Sequence, residues 1–64
     1  MVRMNGKDEA VAGMVLKEYL EQNGYNLTGI AVECNEEILP KSQYESYVLQ
    51  DQDVVEIVSF VGGG

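Results

Sequence analysis

A single stretch of this chain carries a helical period, which limits the fold to one helix over whatever sheet the remainder can make. Within Val15 to Asn23, Leu16, Tyr19 and Leu20 fall at i, i+3 and i+4, and Lys17, Glu18, Glu21 and Gln22 fill the other face. Asn23-Gly24 supplies a left-handed stop. The start is weaker, because Met14 or Val15 stands where Ser, Thr or Asp would cap, a deficit of about 1 kcal/mol. The spacing predicts an amphipathic helix of about two to three turns.

The flanks read as strands. Val2-Arg3-Met4 alternates apolar and polar and leads into Asn5-Gly6, a dipeptide that tolerates the positive φ of a hairpin turn. The return strand is expected between Lys7 and Val11, short or irregular because Asp8, Glu9 and Ala10 are poor strand formers, with Gly13 ending it. Ile30 to Cys34 has apolar residues on both faces and is expected in the interior of the sheet. Asn35-Glu36 makes a turn, and Glu37-Ile38-Leu39 is a short strand stopped by Pro40, which cannot donate to a ladder. Lys41 to Tyr47 is expected as a loop or single helical turn anchored by Tyr44, with Val48-Leu49 touching the sheet. After the polar turn Gln50–Asp53, Val54 to Val61 is the longest strand-like run. Hairpin, helix and then further strands define an α+β fold, a β-grasp (ubiquitin-like) roll in which a mixed sheet of roughly four to five strands carries one main helix on one face. Residues 1–61 are expected to form one domain and 62–64 a flexible glycine tail.

Composition removes most enzymatic readings. A chain of 64 residues has a thin core, since it buries only about 60% of the surface its unfolded form exposes. With one cysteine, Cys34, and no histidine, it has no internal disulfide, no Cys/His cluster for zinc, and none of the commonest general acid/base. Eleven carboxylates against four cations give a net charge of −7, which disfavours nucleic acid. The same charge either steers the chain to a basic protein surface or keeps it soluble. No apolar run approaches the roughly 20 residues of a membrane span, and no signal-peptide pattern opens the sequence, so a cytoplasmic location is expected.

The sequence ends Phe60-Val61-Gly62-Gly63-Gly64. Three extended residues reach about 10 Å, and glycines can thread a narrow channel in a partner. What would arrive there is an unhindered carboxylate, a poor electrophile that ATP can activate as an acyl-adenylate. Taken alone, such a tail reads either as this passage or as a frayed end.

The whole chain resembles the ThiS family, the sulfur carriers of thiamine biosynthesis. The resemblance rests on the hairpin at Asn5-Gly6, the helix Leu16–Leu20, Val55-Glu56-Ile57-Val58 leading to the glycines, and a middle motif. The family's motif commonly reads A-V-x-x-N-x-x-I-V-P-R, and here it is Ala31-Val32-Glu33-Cys34-Asn35-Glu36-Glu37-Ile38-Leu39-Pro40-Lys41. Membership implies that the protein is a carrier and substrate, with no catalytic residue, cofactor or metal of its own. A ThiF-like enzyme would adenylate Gly64 with ATP and magnesium. Sulfur from a persulfide, often made by a cysteine desulfurase, would then leave a terminal thiocarboxylate for the thiazole synthase ThiG. Gly64 is the expected site of modification, with Gly63 and Gly62 as the passage. The same tail suits a ubiquitin-like protein modifier or the small subunit of molybdopterin synthase, although such subunits tend to be longer.

The sequence departs from the family at Val15, where Thr is usual, at Lys41 in place of Arg, and at Asp51-Gln52-Asp53 in place of Asp-Gly-Asp, which removes a glycine suited to positive φ. Along the last strand, alternation places Val55 and Ile57 under the helix, facing Leu16 and Leu20. Val54, Val58 and Phe60 then form an outer apolar face for a partner, unless a twist near Ser59 turns Phe60 inward. Cys34 reads as a small sheet residue rather than a reactive thiol, the tyrosines as packing and anchoring groups, and Glu36-Glu37 as a solvated turn.

Overall fold

The structure, a computed structural model, describes residues 1–60. Its elements are β1 (Val2–Met4), β2 (Lys7–Glu9), α1 (Leu16–Gln22), β3 (Ile30–Cys34), β4 (Glu37–Leu39), a 3₁₀ turn over Lys41–Gln43, and β5 (Val54–Ser59). The five strands form one mixed sheet in the order β2-β1-β5-β3-β4, with β1 and β5 parallel and the other pairs antiparallel. This is the β-grasp arrangement: the first and last strands lie side by side at the centre, and the helix that separates them in sequence covers one face.

Both hairpins use left-handed residues. Asn5 and Gly6 have φ of 51° and 82°, and Asn35 and Glu36 have 53° and 70°, matching the right-handed twist of the flanking strands. β2 stops at Glu9, two residues before the expected Val11. Its third partner on β1 is already Val2, and the Glu9 carboxylate turns to accept the Tyr19 hydroxyl of α1 at 3.1 Å. Burial first, and this hydrogen bond second, push the Tyr19 phenol up to about 12. Gly13 therefore does not end a strand. With φ of 94° it sends its N–H to the Leu49 carbonyl at 2.7 Å and brings the chain beside the segment that precedes β5.

Helix α1 starts on Val15 without a side-chain cap. Its exposed first-turn donors are met from elsewhere: Leu16 N–H donates to the Tyr47 carbonyl at 2.8 Å and Lys17 N–H to the Tyr44 carbonyl at 2.9 Å. Tertiary backbone groups thus replace the missing cap. At the other end Tyr25 N–H reaches Leu20 O and Gly24 N–H reaches Glu21 O, a Schellman motif made possible by Gly24 at φ 76°. Val48 forms a bridge with Val15 rather than joining the main sheet, and Leu49 is buried beneath it.

The core comprises Val2 and Met4 of β1, Leu16, Tyr19 and Leu20 of α1, Ile30, Val32 and Cys34 of β3, Val55 and Ile57 of β5, with Tyr44 and Leu49 from the connection. Val55 and Ile57 lie under the helix in one cluster with Leu16 and Leu20, as alternation predicts. The core occupies one side of the sheet. The opposite side is left without a covering layer among the described residues.

Candidate functional site

β5 runs between β1 and β3, so the strand that leads to the glycines is held along both edges. Its outer residues are set by the core on its inner side: burying Val55 and Ile57 forces Val54, Glu56 and Val58 outward. The Asn5 side chain extends the parallel ladder past the end of β1. Its Nδ2 donates to the Ile57 carbonyl at 3.2 Å, and its Oδ1 accepts the Ile57 N–H at 2.6 Å. On the other edge Phe60 N–H reaches the Gly29 carbonyl at 3.0 Å. The sequence expectations that fall on Val61, Gly62, Gly63 and Gly64 lie outside the described residues.

Val54 is 44% exposed, Val58 60% and Phe60 65%; Phe60 does not turn inward. Cross-strand register adds residues to the same face. Ala31 stands opposite Val58, Glu33 opposite Glu56, and Ile38 of the edge strand opposite Glu33, with Ile38 70% exposed. Four of the six large exposed hydrophobic residues described are gathered here. Two carboxylates lie directly across from each other in their midst, and among the described residues neither is in an ion pair. Arg3, which stands opposite Val54 on β1, is already 3.1 Å from Asp8.

The base of β5 is pinned by a polar network that the sequence does not announce. Asp53 is buried, and its Oδ2 accepts the Tyr47 hydroxyl at 2.5 Å and the Gln50 N–H at 2.9 Å. Its Oδ1 accepts Asn35 Nδ2 at 3.0 Å, while Asn35 Oδ1 accepts the Val54 N–H at 2.9 Å. Burial alone would raise the Asp53 carboxyl, but the bonds from Tyr47, Asn35 and the Gln50 amide outweigh it and hold the group below its ordinary value. Burial and the same bond push the Tyr47 phenol up. The network joins the β3–β4 turn, the loop before β5 and the first residue of β5. Its one sequence signal is an Asp immediately before a strand with an Asn and a Tyr elsewhere, which nothing distinguishes from an ordinary polar turn.

Cys34 belongs to the edge of this network. It is buried, donates to Tyr47 Oη at 3.3 Å, and burial pushes its thiol up, so its thiolate fraction at neutral pH is small. Gln52 takes φ of 78°, so the turn keeps the left-handed geometry suited to glycine and forces an L side chain into it. Among the described residues no group of three or more His, Cys, Asp or Glu is placed to hold a metal, and no helix is long and apolar enough to cross a membrane.

The sequence profile of the ThiS family matches residues 2–64. This chain belongs to the ThiS family. It is 42% identical over 64 residues to a sulfur carrier protein ThiS of Thermus thermophilus, with all of both chains covered. The crystal structure of a thiamine biosynthesis protein (ThiS) from Geobacter metallireducens superposes with a TM-score of 0.74 at 30% identity, covering 98% of this chain and 97% of the other. A thiazole synthase of Paramagnetospirillum magneticum is 40% identical over 62 residues, a match that spans 95% of this chain but 19% of that much longer protein. A ThiS-like segment and the name thiazole synthase therefore occur together in one polypeptide.

Proposed function

We propose that this chain is a sulfur carrier for the thiazole ring of thiamine and that Gly64 is its working residue. The full-length likeness to a named sulfur carrier supports this most strongly. A ThiF-like enzyme, using ATP and magnesium, converts the Gly64 carboxylate to an acyl-adenylate and releases pyrophosphate. The terminal sulfur of a persulfide, supplied by a cysteine desulfurase or another donor, attacks the acyl carbon and AMP leaves. A second thiol then attacks the donor's sulfur, forming a disulfide with it and releasing the terminal thiocarboxylate, and thiazole synthase takes the sulfur. Gly63 and Gly62 pass through the partner's channel, since side chains there would widen what must enter.

The described residues have a supporting part. β5 is held on both edges, so the tail leaves from a fixed point, and Val54, Val58 and Phe60 beside it form the face on which the partner docks. The occurrence of a ThiS-like segment within a thiazole synthase favours that enzyme as one such partner. The chain itself acts as the substrate of other proteins' chemistry.

Intact-mass spectrometry of the protein isolated from its native cell tests this reading. Exchange of one terminal oxygen for sulfur, mapped to Gly64, is the expected result. High-mass conjugates through Gly64 would instead make the chain a protein modifier.

A further inference from the structure

We propose that the outer face of β5 selects a partner surface presenting a lysine or arginine, seated over Glu33 and Glu56 and ringed by apolar groups that meet Val54, Val58, Phe60 and Ile38. This rests on the reading above that the face docks a partner, and it specifies what that partner must carry.

The register makes the case. Glu33 and Glu56 are opposite neighbours on the two interior strands β3 and β5, and like charges so placed disfavour the sheet that holds them. No ion pair among the described residues relieves them: Arg3 is paired with Asp8, Lys17 points its ammonium toward Glu45 at 3.7 Å on the helix side of the molecule, and neither Lys7 nor Lys41 forms an ion pair with either carboxylate. Around the pair the surface is apolar, with Val54 and Val58 on either side of Glu56 along β5 and Ile38 beyond Glu33 on β4. A purely apolar partner would cover Val58 and Phe60 but would strip water from two unpaired carboxylates, a penalty large enough to cancel the gain. A cation at the centre of the partner's patch offsets the cost of desolvating the two carboxylates and, in the complex, relieves their mutual repulsion. The net charge of −7 favours approach to such a basic surface over longer range.

The consequence is an unusual pair of effects from one substitution. Glu56→Gln relieves the free protein, so its melting temperature holds or rises, yet it weakens the complex. A residue with a merely structural role would lose both or neither.

The experiment measures binding of the full chain to the thiazole synthase of the same organism across a series of salt concentrations. The variants are Glu33→Gln, Glu56→Gln, the double variant and Val58→Asp, each checked by thermal melting. The near-isosteric Gln variants are expected to melt at or above the wild-type temperature. They should bind about 10-fold more weakly at low salt and show a flatter salt dependence. If Val58→Asp loses binding while the Gln variants bind like wild type with the same salt dependence, the cation requirement is overturned and the docking face stands. Tighter binding by the Gln variants overturns it equally. If Val58→Asp itself binds like wild type, the docking reading fails and this inference fails with it.

Discussion

Neighbouring valines of β5 meet opposite surroundings. Val55 is fully buried in the cluster that includes Leu16, Leu20, Val2 and Val32, whereas Val54 and Val58 lie open on the other side of the same strand. The side chains are chemically identical, so the contrast isolates what environment does. On the inner face a valine contributes stability through removal from water and close packing. On the outer face the same group contributes little to the folded chain by itself and remains available to a partner. A thin-cored domain that leaves one side of its central strand open, with Val54 and Val58 exposed on either side of Glu56, leaves its stability to the other side and to the polar network at its base.

An isosteric hydroxyl is the sharpest probe of that contrast. Val55→Thr introduces an unpaired hydroxyl into the core and is expected to cost about 2 kcal/mol, lowering the melting temperature by roughly 10 °C. Val58→Thr makes the same chemical change in contact with water and should stay within about 0.5 kcal/mol of wild type. Chemical denaturation of the two variants side by side checks this, and equal losses would break the inner-versus-outer account.

Asp53→Asn tests the base of the strand. It replaces charge-assisted hydrogen bonds from Tyr47 and the Gln50 amide with neutral ones and sets a second donor group among donors, an expected loss of about 1–2 kcal/mol at pH 7. The pH dependence has a definite sign. The folded-state value of Asp53 lies below the unfolded value of about 3.9, so its contribution is fully present above that pH and is lost as pH falls through the folded value. Urea melts at pH 7 and in the acid range below about pH 4 should therefore converge for wild type and variant as the acid is added.

The smallest expected effect lies in the turn that feeds β5. Gln52 holds φ of 78°, and Gln52→Gly should relieve that strain and stabilise the chain by about 0.5–1 kcal/mol, less what the more flexible unfolded chain takes back. A melting temperature unchanged or lowered by Gln52→Gly would show that the left-handed turn carries no strain worth relieving.

Much of this architecture was legible because it depends on period. The 3.6-residue spacing of Leu16, Tyr19 and Leu20 and the alternation of Val54 to Val58 each fix which side of an element is buried, and the structure agrees with both. Asn5-Gly6 was readable as a turn because local φ preference decides it, and Asn35 gives the same signal in the second hairpin, where Glu36 takes φ of 70° without such a preference. What escaped depends on residues far apart in sequence. The early end of β2 follows from the length of β1 and from Glu9 meeting Tyr19, and the uncapped start of α1 is repaired by carbonyls of Tyr44 and Tyr47, some 30 residues away. Asp53 looked like a turn residue until Asn35 and Tyr47 were brought to it. On the outer face of β5, Val54, Val58 and Phe60 were named from alternation alone, but the Glu33–Glu56 pair needs the register of two strands separated by the whole β3–β5 connection.

The most direct test of the account is to incubate the chain with a ThiF-like enzyme, ATP, magnesium and a persulfide donor, and to follow the intact mass and the C-terminal peptide over time. The account predicts replacement of one oxygen by sulfur at Gly64 in the wild type, and the same product formed about 10-fold more slowly by a folded Val58→Asp variant. An unchanged mass, or sulfur mapped to Cys34 rather than to Gly64, would contradict it.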